Sequence, residues 1–265
     1  MATYTHGHHE SVLRSHRWRT AENSAAYLLP HLRPGMTLLD IGSGPGTITA
    51  DLARLVAPGR VTALEATPEA LALTQAEITS QGLHSVGFAV GDVHALPYDD
   101  GTFDIVHAHQ VLQHVADPVR ALTEMRRVCK PQGIVAARDS DYRGFTWWPL
   151  LPELDEWMAL YQRVARANGG EPDAGRRLLS WAQQAGCTDV TPSASAWCYA
   201  TPDDRDWWGR LWADRVRQSA MAEQALASGA ATTADLQRIS DGWLRWAQAP
   251  DGWLAIPHCE IIARP

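Results

Sequence analysis

The segment Leu38-Leu-Asp-Ile-Gly42-Ser-Gly44-Pro-Gly46-Thr47 joins a short apolar run to a glycine-rich turn. A short apolar run bounded by glycines is typical of a buried strand in a parallel sheet, so we predict a strand over residues 37–41. Glycines let the backbone approach a ligand closely, and a helix that begins at the turn presents unpaired N–H groups. Since several classes of enzyme bind phosphates with a related turn, the segment alone predicts a ligand site without identifying the ligand.

Strand and helix patterns alternate on the C-terminal side of this turn. A helix over residues 47–56 ends at Pro58-Gly59, and the alternation continues to Asp139. The further elements that we predict are strands over 60–65, 86–90, 103–107 and 134–138, and helices over 68–81 and 117–129. Strands that alternate with helices form right-handed βαβ units. The predicted class is therefore α/β, with a doubly wound, mostly parallel sheet.

The patterns differ outside this region. Near the N-terminus, residues 22–32 have the apolar spacing of a helix, which Pro34-Gly35 ends. After Asp139 the patterns predict helices over 152–168, 173–185 and 202–248, and strands over 188–200 and from Trp253 onward. Because the forty-seven residues over 202–248, between the last two strands, exceed a normal connection, we predict a helical insertion there.

Composition and charge disfavour several classes of partner. The net charge is −7 and the pI is about 5.8, so we expect no nucleic-acid partner. No apolar run approaches the roughly 18–20 residues that span a membrane, and the first residues lack the basic and apolar parts of a secretory signal. The four cysteines are scattered and show no CxxC spacing. We therefore expect a cytoplasmic protein with no membrane partner.

Carboxylates follow the second and third predicted strands. Glu65 lies nineteen residues after Gly46, at a strand end where a carboxylate can accept the hydroxyls of a ribose. Asp92 ends the third strand, where it could face an adenine amino group. Because ligands of parallel sheets bind outside the carboxyl ends of the strands, these residues should converge with the glycine turn. Two alternatives stay open: Asp40 could only shape the turn, and Glu65 could be a solvated strand end.

The ordered set of motifs over residues 37–138 resembles class I S-adenosylmethionine-dependent methyltransferases, particularly the ubiquinone/menaquinone-biosynthesis-like branch of small-molecule enzymes. The matching motifs are Asp-Ile-Gly-Ser-Gly-Pro-Gly at 40–46, the acidic strand end at 65, Gly-Asp-Val at 91–93, Phe-Asp-Ile-Val at 103–106, His-Gln-Val-Leu-Gln-His-Val at 109–115 and Arg-Val-Cys-Lys-Pro-Gln-Gly at 127–133. Two positions depart from the family pattern: Glu-Ala-Thr replaces the commoner Asp-x-Ser, and Pro-Gln-Gly replaces Pro-Gly-Gly. The resemblance implies a Rossmann-like, seven-stranded sheet and the cofactor S-adenosyl-L-methionine, with S-adenosyl-L-homocysteine as product.

The resemblance also implies a cofactor site that combines the glycine turn, the ends of the next three strands and one arginine before them. Its residues are Asp40, Gly42, Ser43, Gly44 and Gly46 for the methionine and ribose, Glu65 and Ala66 for the ribose hydroxyls, Asp92 and Val93 for the adenine, His109 and Gln110 beneath the sulfonium, and Arg19 for the carboxylate.

The N-terminal residues 1–35 are rich in histidine and arginine, and we interpret them as a lid with its helix. Residues 36–265 would then form the methyltransferase domain, with 139–185 and 202–250 as helical additions on the substrate side. A solvated tail is the alternative for the lid. His6, His8, His9 and His16 could suggest a metal site, but no cysteine or carboxylate spacing completes one, so we predict no metal.

Tryptophan is unusually frequent: eleven of the twelve residues follow position 146, whereas the chain has three phenylalanines. Tryptophan offers a large rigid surface and one donor, which suits an acceptor pocket; a core and a homodimer interface are the alternatives. The candidate acceptor-binding residues are Tyr4, His9, Tyr142, Trp147, Trp148, Trp207 and Trp208. His114 is the candidate general base, although it could be an ordinary core or surface histidine.

The expected function is methyl transfer by in-line displacement to a small, aromatic or heterocyclic metabolite. One alternative is a protein of this fold that binds the cofactor as a binding module or for other chemistry. A nicotinamide dehydrogenase fits less well, because the turn lacks the GxGxxG spacing.

Overall fold

The structure, a computed structural model, describes Thr5 and residues 10–265. An eight-stranded sheet lies at its centre, in the order β3-β2-β1-β4-β5-β8-β6, with β7 paired to β8. The strands are β1 (Thr37–Ile41), β2 (Arg60–Glu65), β3 (Val86–Val90), β4 (Phe103–His109), β5 (Cys129–Ser140), β6 (Thr146–Trp148), β7 (Asp189–Tyr199) and β8 (Trp253–Arg264). Strands β1 to β5 pair in parallel, and β8 is antiparallel to β5, β6 and β7.

Ten α-helices are found in the described part of the chain. They are α1 (Glu10–Arg17), α2 (Ala21–Ser24), α3 (Thr47–Val56), α4 (Pro68–Ser80), α5 (Pro118–Val128), α6 (Pro152–Ala167), α7 (Leu178–Gln184), α8 (Pro202–Gln218), α9 (Ala220–Ala227) and α10 (Thr233–Gln248). Several begin at a side-chain cap: Thr67, Asp117, Thr201 and Thr232 each accept a hydrogen bond from a backbone N–H of the first turn. Among the described residues, no helix is long and apolar enough to cross a membrane.

The α/β class with a mostly parallel sheet is confirmed, with two local differences. The sheet has eight strands rather than seven, because the three residues of β6 pair with the start of β8. The helix predicted over 22–32 is wrong: α2 has four residues, and a 3-10 turn follows at Leu29–His31. Pro30 lacks the N–H that a continuous helix would need there.

The tryptophans mostly belong to a hydrophobic core that α6, α8 and α10 share with β7 and β8. Trp157 packs edge-on against Trp212 and Trp243, with ring centroids 4.6 and 4.9 Å apart. Trp246 is also fully buried, and its indole N–H donates to the carbonyl of Trp148. The interpretation of tryptophan as core therefore holds for much of the C-terminal half.

Candidate active site

A cavity of about 510 Å³ lies at the carboxyl ends of the parallel strands. Its walls come from the turn after β1, the ends of β2 to β4, α1, β7 and α8. Because β1 to β4 run in parallel, the loops that follow them meet at one edge of the sheet. The convergence expected from the sequence is therefore present.

The glycine turn is held tightly between neighbouring segments. Gly42 has a φ of +69°, and a Cβ built there would lie 2.4 Å from Val111 Cγ2, so glycine is required. Gly44 also has a positive φ, but a Cβ there would meet no described atom within 4 Å, because the residue faces open space. Gly46, which caps α3, does not line the cavity.

Two carboxylates line the side of the cavity above β2 and β3. Glu65 Oε1 accepts a hydrogen bond of 2.6 Å from the backbone N–H of Gly44, so the second strand end contacts the glycine turn directly. Asp92 Oδ1 accepts from the backbone N–H of His94 at 2.9 Å, and this bond contributes most to the lowered pKa of Asp92. The Asp92 side chain is 53% exposed, which leaves it accessible to a ligand.

Both carboxylate oxygens of Asp40 have hydrogen-bond partners within the protein. One carboxylate oxygen lies 2.8 Å from His107 Nδ1, and the other accepts a 2.6 Å bond from the Thr49 hydroxyl on α3. Both oxygens thus tie β1 to β4 and α3. Although Asp40 lines the cavity, this arrangement favours the alternative in which it shapes the turn.

Gln110 connects the N-terminal segment to the sheet. Its φ is +55°, in the left-handed region that non-glycine residues rarely adopt. Its amide oxygen accepts from Arg19 at 3.0 Å, and its amide nitrogen lies 2.8 Å from His258 Nε2. Since Arg19 lines the cavity as well, this chain fixes the guanidinium at the cavity wall.

His109 and His114 both line the cavity. Burial, followed by the charge of Arg138, lowers the pKa of His109 well below its usual value. Burial, together with the charge of Arg19, lowers the pKa of His114 to about 3. Both imidazoles are therefore neutral near pH 7, and His114 is a weak base.

The predicted acceptor-binding residues separate into two groups. Tyr142 and Trp208 line the cavity. Trp147, Trp148 and Trp207 do not line it. Trp147 packs at the edge of the core, and the exposed Trp148 donates to Asp251.

Trp207 contacts Trp18 and Tyr199, with ring centroids 5.8 and 5.9 Å away. Its neighbour Trp208 lines the cavity instead. Tyr4 and His9 lie outside the described residues, as do His6 and His8 of the histidine-rich segment.

The sequence analysis missed several cavity residues. They are Leu13, His16, Phe145, Trp197, Arg215 and Ile256. Trp208, Trp212 and Arg215 follow one another at helical spacings of four and three, so they share one face of α8. That spacing is visible in the sequence and could have identified the face. The contribution of β7 and α1 could not be read in the same way, because it depends on tertiary packing.

The lining residues fit S-adenosylmethionine. Two carboxylates project from the second and third strand ends, and the open position at Gly44 gives a ligand access to the backbone of the turn. The cavity volume is in the range of small-molecule sites.

Comparisons with known proteins identify the family. A family model described as "Methyltransferase domain" matches residues 32–190, more than half of the chain. An uncharacterized methyltransferase of Schizosaccharomyces pombe is 35% identical over 98% of this chain and 95% of its own. A ubiquinone/menaquinone biosynthesis C-methyltransferase of Idiomarina loihiensis is 31% identical over 60% of this chain and 69% of its own.

A solved structure has a similar fold. The phosphoethanolamine N-methyltransferase 2 of Haemonchus contortus, in complex with S-adenosylhomocysteine, superposes with a TM-score of 0.58 at 19% identity. The alignment covers 91% of this chain and about half (52%) of the other. At this identity the likeness shows the fold alone. Together with the family model and the relatives, these observations show that the chain belongs to the methyltransferase family and is an S-adenosylmethionine-dependent methyltransferase.

Proposed function

We propose that this methyltransferase acts on a small, planar aromatic or heterocyclic metabolite. The observation that supports this most directly is the aromatic wall of the cavity beyond β4. Its rings come from Tyr142, Phe145, Trp197, Trp208 and Trp212. Flat, rigid walls of this kind favour flat ligands through stacking and apolar contact.

The cofactor would occupy the opposite half, above β1 to β3. Its proposed contacts are Gly42, Ser43, Gly44, Glu65, Ala66, Asp92 and Val93, all of which line the cavity. Glu65 would bind the ribose hydroxyls, and Asp92 the adenine. When bound, the cofactor supplies an electrophilic methyl group on sulfur. The chain's own contribution is to orient the acceptor against it and to exclude water.

The N-terminal segment would complete the enclosure. Leu13, Ser15 and His16 of α1 and Arg19 after it line the cavity, and α1 packs against α8. We propose that residues 1–35 act as a lid on a methyltransferase domain of residues 36–265. A cytoplasmic location and a homodimer remain predictions of the sequence.

Methyl-labelled S-adenosylmethionine, incubated with a panel of aromatic and heterocyclic metabolites, tests the proposal. We expect a labelled aromatic product together with S-adenosylhomocysteine. Trp208→Ala should lower kcat/KM for the acceptor that gives this product. The matched variant Trp207→Ala should change that kcat/KM little, because Trp207 is outside the cavity. If only aliphatic acceptors are labelled, the aromatic assignment is wrong. If the cofactor binds but no acceptor is labelled, the alternative of a binding module is favoured.

A further inference from the structure

Charged side chains are divided between the two halves of the cavity. The lining carboxylates are Asp40 and Glu65, at the carboxyl ends of β1 and β2, and Asp92, which follows β3. The lining arginines are Arg19 and Arg215, which lie on the other side, with α1 and α8. Arg19 lies against the Trp197 ring and Arg215 against the Trp212 ring, two rings of the aromatic wall. In the described residues, the aromatic half is therefore lined by cations and by no carboxylate.

Arg215 is built firmly into the aromatic half. Its side chain is buried, and Nη2 donates to the Ser11 carbonyl at 2.8 Å and to the Ser15 hydroxyl at 2.7 Å. The guanidinium carbon lies 4.6 Å from the centroid of the Trp212 ring. These contacts with α1 and Trp212 orient the guanidinium at the cavity wall.

Arg19 is placed in a comparable way. Its guanidinium carbon lies 5.5 Å from the centroid of the Trp197 ring, and its Nη2 donates to the amide oxygen of Gln110. Both arginines thus combine an aromatic contact with bonds to neutral oxygens. The guanidinium groups of both arginines therefore lie beside rings of the aromatic wall.

Two further buried groups line this half with unused hydrogen-bonding capacity. Trp208 Nε1 and both ring nitrogens of His109 have no hydrogen-bond partner among the described residues. Trp208 is 5% exposed and His109 is 7% exposed. Because buried polar groups are nearly always hydrogen-bonded, these nitrogens favour a ligand that carries an acceptor atom. The indole N–H can only donate.

The other charged groups near the arginines are a buried ion pair and titratable side chains with shifted pKa values. Arg138 is paired with Glu260 at 3.1 Å, so that buried pair is close to neutral. The imidazoles of His109, His114 and His258 have pKa values lowered first by burial and then by neighbouring arginines, Arg19 among them. Asp139, behind the wall on β5, has its pKa raised to about 7 by burial. The part of these pKa shifts that comes from the arginine charges would favour an anion.

We propose that the acceptor is a planar aromatic or enolic acid, bound as its anion beside Arg19 and Arg215. The inference rests on the proposed methyl transfer and specifies its acceptor. The hydroxyl proton leaves to solvent on binding, so that no strong base is required. A new oxygen–carbon bond then forms as the carbon–sulfur bond of the cofactor breaks, and the electron pair of that bond remains on sulfur.

The test uses 4-nitrophenol as a probe with the full-length, cofactor-free protein. The absorbance of its phenolate, followed across a pH titration, gives the pKa of the bound probe. We expect this pKa to fall by at least about one unit, because the anion should bind at least about tenfold more tightly than the neutral phenol. The neutral 4-nitroanisole and the cationic phenyltrimethylammonium should bind more weakly than the phenolate.

Arginine variants identify the source of the shift. Arg215→Met and Arg19→Gln should each reduce it, and Arg215→Lys should retain most of it because the charge is kept. Arg14→Gln is the matched control, since Arg14 lies on α1 but pairs with Asp214 outside the cavity. If Arg215→Met does not fold, the comparison of Arg19→Gln with its control Arg14→Gln decides. Arg19 lies on a loop, so its replacement should disturb folding less.

An unshifted or raised pKa, a lack of phenolate binding, or tighter binding of phenyltrimethylammonium would overturn the inference. If one of these results is found and the protein still methylates a neutral or cationic aromatic compound, the proposed function stands and only the anion site is wrong. Conversely, a shifted pKa without any methyl transfer would contradict the proposed function and leave the anion site standing.

Discussion

Asp139 illustrates how a buried carboxylate makes stability depend on pH. Its side chain is inaccessible, Oδ1 accepts from the Gln113 N–H at 3.1 Å, and Oδ2 has no partner among the described residues. Burial raises its pKa to about 7, above the value of about 3.9 for an unfolded chain. The folded state therefore binds the proton more tightly, and this contribution to stability is lost as the pH rises from about 4 to 7.

Asp139→Asn removes this titration while keeping an acceptor for Gln113. We expect the free energy of unfolding of the variant, relative to the parent, to increase by about 2 kcal/mol between pH 5 and pH 8. Urea denaturation at several pH values measures it. The exposed Asp99→Asn serves as the control for removing a carboxylate from the surface. A flat difference for Asp139→Asn would mean that Asp139 ionises normally.

His114 shows that the position of a residue does not establish its role. The residue lies at the cavity, as the sequence predicted, but a pKa of about 3 leaves it a weak proton acceptor. We expect His114→Asn to lower kcat/KM for methyl transfer by less than about tenfold and to preserve the pH profile between pH 6 and 8. A loss above about a hundredfold, accompanied by disappearance of a limb near pH 6.5, would establish His114 as the general base.

At the scale of elements, α1 and α8 form the outer wall of the cavity together. Val12 of α1 is fully buried, and Ser11 and Ser15 accept hydrogen bonds from Arg215 of α8. Removing α1 would open the aromatic half to water without touching the strands that carry Glu65 and Asp92. Its loss should therefore affect turnover more than folding.

Deletion of residues 1–20 tests whether the N-terminal segment is needed for turnover and not for folding. We expect the truncated protein to retain its far-ultraviolet circular dichroism but to transfer methyl groups at least about tenfold more slowly, because water enters the site. Arg14→Gln controls for the loss of charge on α1 and should remain active. A truncated protein with full activity would show that the segment is a solvated tail.

At the scale of the whole molecule, the sequence predicted what depends on local pattern. The turn at 42–46, the parallel strands and the acidic strand ends each have a short-range signature, and all of them are found at the cavity or directly beside it. Residue burial in the tryptophan-rich half has no such signature. Helical spacing groups Trp208 with Trp212 and Arg215 on one face of α8, but only tertiary contacts show that this face, and not the one with Trp207, lines the cavity.

We propose that the cavity has a cofactor half and an acceptor half, and that each half can be impaired without the other. Calorimetry of S-adenosylmethionine binding to Glu65→Ala and Trp208→Phe tests this most directly. We predict that Glu65→Ala weakens binding by about ten- to a hundredfold, because a carboxylate that accepts charge-assisted hydrogen bonds is removed. Trp208→Phe should leave the affinity within about twofold. Equal losses in both variants, or a larger loss in Trp208→Phe, would contradict the division of the cavity.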